Sequence, residues 1–329
     1  MVYIKSLCVF TLVILFLANE RLLADSYPEI YQENNTSLDH RFHLAENSNQ
    51  EETALKSAKQ GGEFDLVTAA KKSNNPVSDA WLLIIQNDYT WIRGDQIDGA
   101  EKRERLSFQP VLPVPIFGGS WNLVNRPVIQ LFDAPIDDDI GSTDPFGSRT
   151  RGLGDTITFH LLAPNRDDGF IWGVGPTFIW PTATEEVLGQ EKWQAGPAAL
   201  AARLGADYGG LGIESWNIGI LAQQWWDYAG TGKRKHTNQA DIQYFLNWKQ
   251  NPTRLIGMTP NIQIDWTKSG SDRFSVPIGL GVIDLFKMGN IPVRWGAEMQ
   301  YYVNQPDDFG PKWNFKLFFA PIAPNPFKK

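Results

Sequence analysis

Three stretches decide the fold: QADIQYFLNW (239–248), GMTPNIQIDW (257–266) and FSVPIGLGV (274–282). In the first, Ala240, Ile242, Tyr244, Leu246 and Trp248 take every second place. Met258, Pro260, Ile262, Ile264 and Trp266 do so in the next, and Phe274, Val276, Ile278, Leu280 and Val282 in the last. A period of two means β-strands with one apolar and one polar face. Each apolar row is about five side chains long, which fits a tilted strand of about 9–11 residues crossing a bilayer's hydrocarbon core. Trp248 and Trp266 stand at row ends, where aromatic girdles belong.

Composition agrees. The 329 residues are 42% hydrophobic, with a mean hydropathy of -0.30. That is too polar for a bundle of membrane helices but suits a barrel whose strands turn half their side chains to a polar lumen. The 13 Trp, 29 Gly and 21 Pro suit many strands joined by turns. A net charge of -7 argues against a nucleic-acid surface.

Residues 1–24 read as a secretory signal peptide, cleaved after Leu22-Leu23-Ala24, with Lys5 before an apolar run from Leu7 to Ala18. Cys8, the single cysteine, lies inside it, so the mature chain offers no disulfide or thiolate metal site. Residues 25–76 are polar and poorly periodic, an extension with little fixed structure beyond a short helix over Glu51–Gln60. Residues 77–329 form the barrel.

The strands fall at 86–94, 104–114, 119–133, 151–163, 169–182, 193–207, 212–228, 236–249, 253–267, 272–285, 291–304 and 311–320. About twelve strands is the even number that a single-chain bacterial barrel requires. Short Gly-, Pro- or Asn-rich turns alternate with longer connections, as in an up-and-down antiparallel meander. The segment Asn75–Gln86, with Asn75-Pro76 and the continuously apolar Trp81-Leu82-Leu83-Ile84-Ile85, fits either an insert in the lumen or a first strand with irregular patterning. Gly173, Gly175, Gly279, Gly281 and Gly296 fall at inward positions, where they leave room.

Further motifs resemble a known family. They are Asn75-Pro76-Val77, Gly152-Leu153-Gly154-Asp155 and Gly169-Phe170-Ile171-Trp172-Gly173-Val174-Gly175-Pro176. They continue with Pro181-Thr182-Ala183-Thr184, Leu188-Gly189-Gln190-Glu191-Lys192-Trp193, Ala195-Gly196-Pro197 and Ser275-Val276-Pro277-Ile278. In this order they resemble a bacterial family of outer-membrane barrels associated with meta-pathway phenol degradation, whose members often carry the label "neuromedin U". The resemblance implies a transporter in the outer membrane with a preference for aromatic or other hydrophobic compounds. It supplies no site residues.

Arg126, His160, Asp241, Asp265, Arg273, Arg294, Glu298 and Lys316 are the lumen and selectivity candidates. Mixed charges in a narrow barrel either pair as a static network or form a constriction that selects solutes. His160 has no Ser at an obvious facing position, so no catalytic residue, cofactor or metal is expected. His40 and His43 are a solvated pair, and Asp133, Asp137, Asp138, Asp139 and Asp144 a solvated acidic loop. Lys233, Arg234 and Lys235, at a hairpin tip, are expected to meet lipopolysaccharide phosphates. The expectation is a monomeric barrel of the bacterial outer membrane, not an enzyme, passing small hydrophobic or aromatic molecules. The rivals are a closed structural or enzymatic barrel and a secreted soluble β-sandwich.

Overall fold

The computed structural model describes residues 66–78, 80–97, 99–138, 146–166 and 169–327. The signal peptide, the helix expected over Glu51–Gln60, His40, His43, Asp139 and Asp144 lie outside the described residues. Helix α1 is Leu66–Asn74. The strands are β1 (Trp81–Arg93), β2 (Glu101–Ile116), β3 (Trp121–Ala134), β4 (Thr150–Leu153), β5 (Thr156–Pro164), β6 (Phe170–Trp180) and β7 (Lys192–Leu204). They continue as β8 (Trp216–Gly230), β9 (Asn238–Lys249), β10 (Leu255–Met258), β11 (Asn261–Asp265), β12 (Phe274–Met288), β13 (Ile291–Asn304) and β14 (Gly310–Ala323).

All pairings are antiparallel between sequence neighbours, and β14 closes on β1 from Trp81↔Ala323 to Arg93↔Gly310. Segments β4 and β5 both pair with β3, and β10 and β11 both pair with β9 and β12, so each couple is one interrupted strand. The result is the closed barrel of 12 strands expected from the sequence. Closure leaves no edge, which the hydrocarbon layer demands of a sheet.

Register fixes which side chains point where. Ala240, Ile242 and Leu246 lie beside Ile264, Ile262 and Met258, on the outer face. Outward aromatics gather near both ends: Trp91 opposite Trp313 toward the long loops, Trp216 opposite Trp248 toward the short turns. These are the two girdles of a spanning barrel.

The lumen is dry on the short-turn side. Phe159, Leu161, Ala163, Leu200 and Leu221 point inward and pack with Val77, which is 1% exposed. Burying such a side chain contributes about 1.5–3 kcal/mol. Val77 follows α1 on a turn fixed by Asn122, whose Nδ2 donates to the Val77 carbonyl at 2.8 Å. Ala69 and Ala70 of α1 pack on Leu285 and Ile322. Thus Leu66–Asn74, which the sequence assigns to the unstructured extension, is an ordered helix standing in this mouth. The run Trp81–Ile85 belongs to β1, and it lacks alternation because both of its faces are apolar: Leu82 and Ile84 join the inner cluster while Ile85 lies exposed on the outer face.

Candidate functional site

The long-loop half of the lumen is polar. On β1 and β2 the inward positions are Gln86, Asp88 and Thr90, then Arg103, Arg105, Ser107 and Gln109. Arg105 donates to Asp88 at 2.9 Å and to Gln130 at 3.3 Å. Asn314 donates to Asp88 at 3.0 Å and to Gln300 at 3.1 Å. Lys316 and Glu298, directly opposite on β14 and β13, are both buried and lie 3.4 Å apart. Their partners satisfy charges that would otherwise be costly to bury.

The opposite wall carries amides. Gln190, from the connection after β6, donates to Gln239 at 3.3 Å and receives from it at 2.9 Å. Gln194 donates to the same Gln190 side chain. The connection is therefore folded over the lumen. Asp155 holds it there, accepting the backbone N–H of Gln190 at 2.8 Å and of Ala183 at 3.3 Å. Thr182 donates to the Gly154 carbonyl, and the Leu153 and Thr184 backbones bond each other. A Cβ on Gly189 would meet Asp155 Oδ1 at 2.7 Å, so glycine is required there. Three of the sequence motifs, GLGD, PTAT and LGQ, are thus one structural cluster.

Five of the eight candidates face the lumen with defined partners. Arg126 donates to Gln109 and lies 5.6 Å from the Phe159 ring. Asp241 accepts from Asn261 at 2.7 Å. Arg294 donates to the Ser73 carbonyl near the end of α1, and Glu298 and Lys316 form the buried pair. Of the other three, Asp265 lies on the lumen face at the rim, while His160 and Arg273 need correction. His160 faces outward: it sits opposite Asn125, its Nδ1 is 2.7 Å from Asn125 Oδ1, and its ring packs beside Phe178. Asp265 ends β11, where its carboxylate accepts the backbone N–H and hydroxyl of Thr267 and caps the turn. Arg273 lies in that rim connection, donating to the Lys268 carbonyl over the Trp266 ring. Arg273 stands outside the wall because β12 begins only at Phe274, whereas Asp265, opposite the lumen-facing Gln239, keeps the inward face at the last position of β11.

Sequence reasoning missed Asp88, Arg103, Arg105 and Asn314. Asp88 alternates in phase with Gln86 and Thr90, a signal already present within the expected strand 86–94.

The geometry bears on two chemistries. A barrel hydrolase needs a hydroxyl on its histidine. Among the described residues none bonds His160, and the neighbouring Thr158 hydroxyl instead accepts the Trp180 indole N–H at 3.0 Å. No group of three or more metal-ligating side chains occurs among the described residues, and Asp133 of the acidic loop is bound by Arg149 and Arg151.

No family model matches the chain, nor does any curated protein. Solved structures do. The crystal structure of an outer membrane channel from Pseudomonas putida F1 covers 74% of this chain and 96% of its own, at a TM-score of 0.50 and 11% identity. The beta domain of a Bordetella autotransporter gives a TM-score of 0.38 at 12% identity, covering 74% of this chain and 99% of its own. Outer membrane phospholipase A from Escherichia coli gives 0.36 at 10% identity, covering 78% and 96%. At this identity the likeness is one of fold. Closure, girdles and the alignment with the Pseudomonas structure together define a closed antiparallel β-barrel with the fold of outer-membrane barrel proteins.

Proposed function

We propose that the protein is a channel of the bacterial outer membrane for the passive passage of small hydrophobic or aromatic molecules. The observation that carries this is the apolar lining of half the lumen by Phe159, Leu161, Leu200 and Leu221 around Val77. A static plug would need only to fill that space. A wall of aliphatic and aromatic side chains also offers a path to an apolar solute once the Val77 segment shifts. The Pseudomonas structure is that of an outer membrane channel, and the family resemblance of the motifs adds aromatic compounds. In this reading residues 1–24 direct export, the chain acts as a monomer, and Lys233 and Lys235 meet lipopolysaccharide phosphates, since Arg234 is engaged by Glu191 at 3.2 Å.

The test is flux. Liposomes holding the folded chain should take up a neutral aromatic such as benzyl alcohol faster than a sugar of similar mass, and a chain lacking residues 66–78 should pass both faster. Equal, background permeability in both preparations would reject the channel and favour a closed structural barrel.

A further inference from the structure

One charged side chain near the long-loop mouth of the lumen has no partner among the described residues. Arg105 has Asp88 at 2.9 Å, Lys316 has Glu298 at 3.4 Å, Asp241 has Asn261 and Arg126 has Gln109. Arg103 has no hydrogen bond or ion pair among the described residues, and its Nε is buried without an acceptor. Around it stand Arg105, Asp88 and Tyr302 within electrostatic range, and the one carboxylate of the three already binds Arg105. Arg294 caps α1. Of the lumen cations Arg103, Arg105, Arg126 and Lys316, the last three each hold a side-chain partner. Arg103 alone of the four has none among the described residues.

Arg103 is partly exposed, so its guanidinium is open to an anion, while its buried Nε lacks an acceptor, a cost that a bound anion relieves. Arg103 is the third residue of β2, next to Glu104, which pairs with Asp133 near the loop end of β3. It therefore stands near the long-loop mouth, above the rest of the polar ladder. Arg105 is two residues on, about 6.6 Å further along the same face. Arginine's planar fork suits a carboxylate, which it binds through two parallel hydrogen bonds.

We propose that Arg103, backed by Arg105, is an anion-binding site at the long-loop mouth that takes the carboxylate of a small solute. The inference rests on the channel reading, but binding is measured apart from passage. The probe is benzoate, with benzyl alcohol as its neutral counterpart, titrated calorimetrically into the detergent-folded full chain at low salt. Benzoate should bind saturably, weaken as salt rises, and exceed benzyl alcohol at least tenfold. R103Q should lose tenfold or more of the benzoate affinity, and R103K should keep part of it. R203Q, which removes an outward-facing residue paired with Glu214, should bind as the parent does.

Heat-dependent gel mobility shows whether each variant is folded. Should R103Q fail to fold, R103K and the salt dependence carry the test. No benzoate binding, equal binding by R103Q, or equal binding of benzyl alcohol by the parent overturns the site. Benzoate binding without liposome flux would reject the channel and keep the site. Flux without benzoate binding would do the opposite.

Discussion

The Glu298 carboxylate accepts the backbone N–H of Thr259 at 3.1 Å, reaching it across an intervening strand. Glu298 is on β13 and Thr259 lies between β10 and β11, with β12 between them. The crossing is possible because β12 carries Gly279 and Gly281 there; a Cβ on Gly279 would come within 2.6 Å of Glu298 Oε1. The Thr259 hydroxyl also donates to Glu298 at 2.8 Å, and Lys316 donates to the Thr259 carbonyl at 2.7 Å. The ladder breaks at Thr259, and side chains satisfy the backbone groups that the break exposes. A cavity of about 10 Å³, room for about one water, lies beside the break.

Removing the acid should therefore cost more than a surface charge would. Glu298→Ala leaves Lys316 buried without its counter-ion and the Thr259 N–H unpaired. The expected loss is about 3–5 kcal/mol, as for breaking a buried ion pair. Glu298→Gln keeps an acceptor and should lose less. Urea titration of the folded band on unboiled gels measures both, and equal stability of parent and Glu298→Ala would refute the arrangement.

The outward rows around Ile242, Ile262 and Ile278 were legible because lipid imposes a strict alternation on them. The inward glycines were legible for the same reason. His160 was misread because the polar-in, apolar-out rule reverses where the lumen is filled. The inward row of β5 is Ile157, Phe159, Leu161 and Ala163, apolar because it packs on Val77, and this leaves Thr158 and His160 on the outside. Arg103 and Arg105 were obscured by their setting. In Glu101-Lys102-Arg103-Glu104-Arg105 both faces are charged, so the strand is expected only from Glu104 and Arg103 falls in the loop before it. In the fold, Lys102 and Glu104 pair with each other at 2.5 Å on the outer side of the rim while the arginines point in. The order of α1 was hidden because its contacts are with residues more than 200 positions away, such as Arg294 and Leu285.

Arg294 holds that helix by its carbonyl end. A cation near a helix C-terminus contributes about 0.3–1 kcal/mol, and up to about 2 when partly buried. Arg294→Ala should loosen α1 without unfolding the barrel. The expected outcome is faster proteolysis within residues 66–80 and increased solute flux in liposomes, at unchanged heat-dependent gel mobility. Unchanged cleavage would mean that the apolar contacts of Ala69, Ala70 and Val77 suffice.

Asp155 should govern the connection between β6 and β7. Asp155→Ala removes the acceptor of two backbone N–H groups, which costs about 1–3 kcal/mol when the donors stay buried. Cleavage by a glutamate-specific protease at Glu185 or Glu186 should speed up. Asp155→Asn retains one acceptor oxygen and should fall between parent and Ala. Protection identical in all three would show that Thr182 and Thr184 alone fix the connection.

His160 and Asn125 are a polar pair on the lipid side of the wall. Single replacement by Leu strands one polar group in the apolar layer, whereas replacing both removes the need for the bond. Each single variant should lose about 1–2 kcal/mol, near the upper range measured for hydrogen bonds between membrane segments. The double variant H160L/N125L should recover most of it, which urea titration of all four proteins measures as a coupling energy. Additive losses would place the value of His160 in some contact other than Asn125. Phe178, whose ring centroid lies 6.2 Å from that of His160, is the side chain to vary next in that case.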